Sequence, residues 1–576
     1  MKKFLLVGII ALASFVRFFH IDSLPASLTW DEVAWGYNAY TLGIDGRDEF
    51  GRLLPLDYLE SFGDFKPPVY AYLTVIPVWV FGLNEFAVRF ASALFGTMTV
   101  LVTYFLAKAI FRTKSEGEKN VILSEEERRV EGSRATKQQG GMRFLGSLSV
   151  ARNDKEAVAL VAAGILAISP WHIMLSRGAF EANVSTFFLA TGVWLFLEAV
   201  QRKKGLLFLS VLSFVLSFYT FNTARIVAPL LVIVLSLLHW RRLLSMKKFV
   251  VVAVTFGIVL LMPVIPFMMT PQAALRFQEV NIFSDIEIIN QTNQEVANDN
   301  NTWWSSILHN RRIAYGLAFM SHYLDNLRFD FLFINGDGNP KFSTQAVGQM
   351  YLWELPFFII GIFFLFRRRE GNWSLIPLWL LLALIPAGMA RETPHALRIE
   401  AALPTFQLLV AYGLVASISF AKRYRIARFG ALVYAVFSLF IVVYFFQDYY
   451  RQYGRVFASE WQYGYKEAIQ YTQEVSDQYE SIFFTSEFGR PYVYTAFYTQ
   501  YDPKAFRTDV VAIREAFGFV TVEQLKKYNF FQSALPETQK GKTLFIDIPE
   551  HVPDNATIKK TFSLPNGDVA LEAYTR

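Results

Sequence analysis

The chain has 576 residues, of which 53% are hydrophobic, 16% aromatic and only 18% charged. That composition excludes a disordered chain and departs from an ordinary soluble domain, where about a quarter of residues are charged. Cysteine is absent, which removes disulfide, thiolate-metal and Cys-nucleophile chemistry, and a net charge of +6 is too small to argue for a nucleic-acid partner.

Taken in chain order, the hydrophobic residues come in blocks. Residues 4–19 follow Met1-Lys2-Lys3 and read as an uncleaved first span, because no convincing small-x-small cleavage pattern closes them. A loop at 21–86 follows. Apolar blocks near the roughly 17–25 residues of a membrane span then run near 87–111, 157–176, 184–199, 206–219, 226–238, 249–269, 347–366, 373–389, 401–420 and 429–446. The set predicts a mostly α, polytopic membrane helical bundle of about eleven transmembrane helices. The charged segment 112–155 reads as an insertion with amphipathic stretches. Loop 270–346 holds a predicted interfacial amphipathic helix at 304–327 and a turn at Gly336-Asp337-Gly338-Asn339-Pro340. From about 448 charge rises and α/β patterning appears: helix at 461–479, strand at 481–485, helix at 491–499, strand at 543–548. Two units are expected, a membrane part at 1–447 and a small extracytoplasmic α/β domain at 448–576.

Basic clusters set the orientation. Lys2-Lys3, the 112–155 segment, Arg202-Lys203-Lys204, Arg241-Arg242, Lys247-Lys248, Arg367-Arg368-Arg369 and Lys422-Arg423 with Arg425 and Arg428 all fall on one side if residues 67–81 do not cross. The N-terminus is then cytoplasmic, loops 21–86 and 270–346 lie outside, and the C-terminal domain is extracytoplasmic on a multi-pass plasma-membrane protein.

Ionisable residues avoid the middle of the spans and collect at their outer ends. Thr29-Trp30-Asp31-Glu32 opens the first loop; its bland reading is a helix N-cap, its functional one a general base near the head-group plane. Gly63-Asp64-Phe65-Lys66-Pro67-Pro68-Val69-Tyr70 places an ammonium at the interface, suited to a phosphate, with Arg89 opening the next span. Farther on, Ser169-Pro170-Trp171-His172 leads to Arg177 and Glu181, an i,i+4 pair on the bland reading. Arg225 in the turn 221–225 snorkels or binds. Arg391, His395 and Arg398 form an outer turn that defies the positive-inside trend and therefore suits an anion. Carboxylates and cations on several outer loops of one bundle suit a reaction on a lipid phosphate.

These motifs resemble the polyprenyl-phosphate-sugar-dependent glycosyltransferases of the GT-C fold, whose members include protein O-mannosyltransferases and aminoarabinose–lipid A transferases. The carriers are Asp31-Glu32, Asp64-x-Lys66-Pro67-Pro68-x-Tyr70, Phe81-Gly82 with Val88-Arg89-Phe90-Ala91, Ser169-Pro170 with Ser176-Arg177 and Glu181, and His395-x-x-Arg398. The resemblance implies an enzyme that moves a sugar, with inversion, from a polyprenyl-phosphate donor outside the cytoplasm to an acceptor hydroxyl on protein, lipid or glycan. It implies Asp31 as general base with Glu32 beside it, Glu181 as second acidic residue, and Lys66, Arg89, Arg177, His395 and Arg398 around the departing phosphate. Asp64, Tyr70, His172 and Arg225 are further candidates. A divalent cation (Mg or Mn) stays open, since no metal cluster is legible. The implied partners are membrane lipid, the lipid-linked sugar and the acceptor, with no nucleic acid. The rivals are a transporter of lipid-linked saccharides and a non-catalytic scaffold of glycan assembly.

Overall fold

The computed structural model describes residues 2–112, 152–421, 425–514, 520–531 and 542–576. Almost all of the predicted 112–155 insertion therefore lies outside the described residues, as do Lys422 and Arg423. The membrane part is built on α1 (Lys2–Phe18), α4 (Glu85–Ile110), α5 (Arg152–Ile168), α6 (Pro170–Arg177) and α7 (Glu181–Gln201), with α4 packed against the other four. The buried face of α4 is rich in small residues, among them Ala87, Ala91, Ala93, Gly96, Ala107 and Ala109. Small residues let backbones approach where lipid tails remove the usual hydrophobic drive between helices. The same device recurs where helices Leu355–Arg368 and Thr405–Ala421 cross: a Cβ on Gly361 or Gly413 would strike the opposite helix's backbone.

Among the described residues five helices are long and apolar enough to cross a membrane, or six if α5 and α6, bent by 55°, form one span. Four shorter apolar helices accompany them: Val69–Phe81, Leu206–Phe218, Ala224–Leu238 and Leu375–Gly388. The predicted blocks are thus helical, but several are shorter than full spans. The α5/α6 bend has a local cause: Pro170 brings no N–H to the first turn, and the Ser169 side chain caps His172 N–H. Block 347–366 starts late, because 347–351 is not helical and the helix begins only after the turn Leu352–Glu354, with Pro356 in its first turn. Exposed Phe429, Leu432, Val433, Val436 and Phe440 on one helix and Val251, Val252, Val254 and Ile258 on another make an apolar outer belt that belongs in hydrocarbon.

The first loop, expected on the outer side, is ordered. It holds α2 (Trp30–Asp45), the hairpin β1 (Leu59–Ser61) with β2 (Asp64–Lys66), and α3 (Val69–Phe81). At 13 residues α3 spans roughly 20 Å, short of the about 30 Å hydrocarbon core. The predicted helix 304–327 is two pieces, Ser305–Leu308 and Arg311–Asp325, because Asn310 caps the second.

The C-terminal unit is a seven-stranded mixed sheet of β3 (Ser481–Thr485), β4 (Val510–Arg514), β5 (Val520–Leu525), β6 (Tyr528–Phe531), β7 (Thr543–Asp547), β8 (Thr557–Ser563) and β9 (Val569–Thr575), in the order β4-β5-β6-β3-β7-β9-β8. Strand β3 runs parallel to both its neighbours. The predicted helix 461–479 is broken into Ser459–Trp461, Tyr465–Glu474 and Ser476–Gln478, since Gln462 and Gly464 take positive φ. The predicted helix at 491 is Pro491–Tyr498 and packs on α2, where Phe497 meets Gly36. The last membrane helix runs past the expected boundary at 448, through a π turn at Tyr449–Tyr453, to Val456.

Candidate functional site

Helix α2 begins with a capping box: Thr29 Oγ1 accepts from Glu32 N, and Glu32 Oε2 accepts from Thr29 N at 2.9 Å. Thr29, not Asp31, is the cap. Asp31 is left at the first turn with its side chain 52% exposed, ion-paired to Lys66. Lys66 is buried, its Nζ 4.4 Å from the Phe62 ring centroid and 4.9 Å from that of Trp35. Its position follows from the hairpin, which pairs Lys66 with Leu59, and from Pro67-Pro68, which ends the strand. Glu181, first residue of α7, lies in electrostatic range of Lys66, Asp31 and Asp64. Deeper in, both carboxylate oxygens of Glu400 are buried without a hydrogen-bond partner among the described residues, within range of Glu181. Sequence reasoning missed Glu400, although it is the lone charge at the head of an apolar block.

Five other candidates are committed elsewhere. Glu32 is buried, and besides the cap its Oε1 accepts from Arg89 Nε at 2.8 Å and from Ala179 N at 2.9 Å. Arg89 spends its remaining donors on Glu32 Oε2 and the carbonyls of Ile21, Pro25 and Ser27. Arg177 donates to the carbonyls of Val16, His20 and Leu24 and to Tyr449 Oη and Tyr450 Oη. These two arginines pin the chain that leaves α1 and have no donors left for a phosphate, which corrects the expectation for both. Glu32, expected beside the base, is likewise a structural anchor. His172 is buried and accepts from Arg17 Nη2 at 2.6 Å, and Tyr70 Oη donates to Val88 O at 3.0 Å. Both are packing residues. Arg17, which sequence reasoning passed over, also donates to Ala13, Leu166 and Ala167 carbonyls.

Arg225 gains weight instead. Its Nε and Nη2 are buried without hydrogen-bond partners among the described residues, and it lies in range of Asp64. The turn that carries it touches the start of α3, where Val69 N–H donates to Tyr219 O at 3.2 Å. Arg398 and His395 form a neighbouring group. Arg398 Nη1 donates to Glu392 O at 2.7 Å, and Asp337 lies in range. His395 packs on Phe342, and burial, with Arg398 beside it, pushes its imidazole down to about 3, so it is uncharged at neutral pH and not a phosphate-binding cation. Asp31, Lys66 and Glu181 converge; Arg398 belongs to the adjoining cluster.

The hairpin is held from behind by Glu49, a second residue that the sequence did not reveal. Its Oε1 accepts from Ser61 Oγ at 3.0 Å, Phe62 N at 3.3 Å and Tyr492 Oη at 3.0 Å, and its Oε2 from Asn38 Nδ2 at 3.1 Å. Tyr492 belongs to the C-terminal unit, which also reaches the hairpin through Arg514 to Glu60 at 2.5 Å and Val520 N to Phe62 O at 3.1 Å. Burial pushes the Glu49 carboxyl up to about 7 against the pull of these donors. The folded state therefore binds a proton that the unfolded chain releases near pH 4–5. Stability from this site is full below that range and declines as pH rises through about 7. Glu49→Gln, which cannot ionise, is expected to flatten this slope; thermal unfolding of both proteins in detergent at pH 5 and pH 8 checks it, and parallel slopes would contradict it.

Among the described residues no three His, Asp or Glu side chains are gathered to hold a metal ion. Asp31 is engaged by Lys66 instead. No step is routed through a divalent cation.

Residues 8–116 match the model of the family described as dolichyl-phosphate-mannose-protein mannosyltransferase. That stretch carries Asp31, Lys66 and Arg89. Among solved structures, ArnT from Cupriavidus metallidurans bound to undecaprenyl phosphate is similar at a TM-score of 0.48 and 13% identity, over 98% of this chain and 97% of that one. AglB from Archaeoglobus fulgidus, in complex with an inhibitory peptide and a dolichol-phosphate, is similar at 0.43 and 12% identity, over 86% of this chain and 64% of that one. The S. cerevisiae Pmt1-Pmt2 complex bound to the sugar donor is similar at 0.29 and 16% identity, over 48% and 34%. No curated protein matches the chain. The family match thus falls on the segment that bears the Asp31–Lys66 pair, in a chain built around a bundle of apolar helices. Over its matched segment the chain carries the pattern of the protein mannosyltransferase family.

Proposed function

We propose that the protein is an inverting glycosyltransferase that works at the extracytoplasmic face of the plasma membrane, with the N-terminus inside and the C-terminal unit outside. The observation that carries the reading is the pair of half-exposed Asp31 and buried, aromatic-caged Lys66 in the family-matched segment. Asp31 takes the proton of the acceptor hydroxyl. The acceptor oxygen then bonds to the anomeric carbon as the carbon–oxygen bond to phosphate breaks, and polyprenyl phosphate leaves with the electron pair. The donor phosphate competes for the Lys66 ammonium, so donor binding loosens Lys66 from Asp31 and frees the base. Arg225, with two unpartnered nitrogens in range of Asp64, is the second cation for the phosphate. Glu181 orients the acceptor or the sugar, and Arg398 is a more distant cation. Fixed cations aimed at the leaving group supply the electrostatic stabilisation on which such a reaction depends.

The test is transfer by the purified protein in lipid discs from a series of polyprenyl-phosphate monosaccharides, with release of polyprenyl phosphate and the anomeric configuration of the product read by NMR. Retained configuration would sink the single-displacement scheme. Arg225→Gln is expected to weaken undecaprenyl phosphate binding by roughly tenfold or more, the worth of a charge-assisted hydrogen bond. Unchanged binding would remove Arg225 from the site.

A further inference from the structure

The approach to Asp31 is bordered by two loops that meet on Trp30, the residue before it. One is the Gly-Asp-Gly-Asn turn of the large outer loop, which places Lys341 Nζ 5.1 Å from the Trp30 ring centroid. This turn is braced to present that lysine. Asp337 Oδ2 accepts from Ala396 N at 2.6 Å, its Oδ1 from Asn339 N at 2.8 Å, and Asn339 Oδ1 from Lys341 N at 3.0 Å. Tyr453 Oη holds Pro340 O at 2.8 Å. The second loop comes from the C-terminal unit. Gly489, at φ +96°, lies so close to Trp30 that a Cβ there would collide with the indole. The next residue, Arg490, stands 5.4 Å over the Phe62 ring, the ring that also carries Lys66.

The ammonium of Lys341 makes no hydrogen bond or ion pair with a described residue. In its electrostatic range are exposed Glu460, Asp31 and Glu32. Asp31 is already paired with Lys66, and Glu32 with Arg89. Burial pulls the Lys341 ammonium below its ordinary range, a cost that an incoming anion would offset. A neutral alcohol gains nothing from two braced cations at the mouth of a base. A hydroxyl compound that also bears a negative group is held and oriented by them, because a cation paired with one group of the acceptor fixes the register of the rest.

We propose that Lys341 and Arg490 are acceptor-recognition residues, and that the acceptor carries a phosphate or carboxylate beside the hydroxyl that receives the sugar. The proposal rests on the transferase reading. It assigns the 336–341 turn and the 486–490 loop to one specificity element made jointly by the membrane part and the C-terminal unit.

The experiment compares the native host carrying the wild-type protein, Asp31→Asn, the double variant Lys341→Gln/Arg490→Gln and the charge-keeping Lys341→Arg/Arg490→Lys, each checked for equal amounts in the membrane. Lipid extracts and envelope glycans are resolved separately by anion exchange and mass spectrometry, so that a lipid headgroup acceptor and a glycan acceptor are told apart. The expected result is a glycosylated anionic species that vanishes with Asp31→Asn, falls roughly tenfold with the Gln pair and persists with the Arg/Lys pair. An Asp31-dependent product that elutes as neutral, or one made at the wild-type level by the Gln pair, overturns the proposal while leaving the transferase reading intact. If Asp31→Asn removes no product from either fraction, the assignment of Asp31 as the base falls and takes this proposal with it.

Discussion

Asp31→Asn is expected to lower sugar transfer by roughly 10²–10⁴-fold, the usual contribution of a positioned general base, with no loss of folded protein. The two halves of this expectation come from the same geometry. Asn fills the space of Asp and keeps a hydrogen bond to Lys66, but it cannot take a proton from an attacking hydroxyl. Helix α2 does not depend on the Asp31 carboxylate, because Thr29 and Glu32 make its capping box. The side chain is half exposed, so no buried charge is stranded. Undecaprenyl phosphate should bind the variant at least as well as the wild type, since Lys66 loses its competing carboxylate. Transfer assays paired with thermal unfolding separate the effects. A variant that unfolds at the wild-type temperature and turns over at the wild-type rate would move the base elsewhere, with Glu181, in electrostatic range of Lys66 and Asp31, the carboxylate to try.

Glu32→Gln is expected to behave in the opposite way, with a loss of stability of about 3–5 kcal/mol, the cost of stranding one member of a buried ion pair. Arg89 is fully buried, and Glu32 is its carboxylate partner. The same carboxylate also ties α2 to Ala179, between α6 and α7, and closes the α2 cap. The variant should appear at reduced abundance in membranes, with a lowered unfolding temperature and near-normal turnover per folded molecule. Arg89→Met should do the same. The double variant should lose less than the sum of the two, because an uncharged pair strands no charge. A stable but inactive Glu32→Gln protein would return Glu32 to the chemistry. The adjacent carboxylates of Trp30-Asp31-Glu32 thus separate by assay: one change costs rate, the other costs fold.

Much of this was legible in the chain. The apolar blocks marked the helices, and the ionisable groups at their ends marked the residues worth following. Asp31, Lys66 and Glu181 do meet, although they lie far apart in sequence. The Thr29-x-x-Glu32 spacing of a capping box was also present, but two neighbouring carboxylates drew a single chemical reading. Arg89 and Arg177 were misread for a deeper reason. Their partners are mostly backbone carbonyls of residues 16–27, and no residue type announces a carbonyl that a distant arginine will occupy. Glu49 was hidden in the same way, since its role depends on Tyr492, more than four hundred positions away. Strand β8 escaped because it is exposed at all positions but Phe562 and so lacks the alternation that signals a half-buried strand. The α5/α6 break, by contrast, was written in Ser169-Pro170.

The bracing of the hairpin by Tyr492, Arg514 and Val520 also fixes an order of events in the life of the molecule. The ribosome makes Asp31 and Lys66 early, whereas the groups that hold the hairpin arrive more than four hundred residues later. A nascent chain therefore carries Asp31 and Lys66 well before the geometry that aligns them exists. Competence comes last, when the external sheet has folded and closed on the first loop. On the transferase reading proposed above, a chain assembled in that sequence is expected to be inactive until its C-terminal sheet has folded.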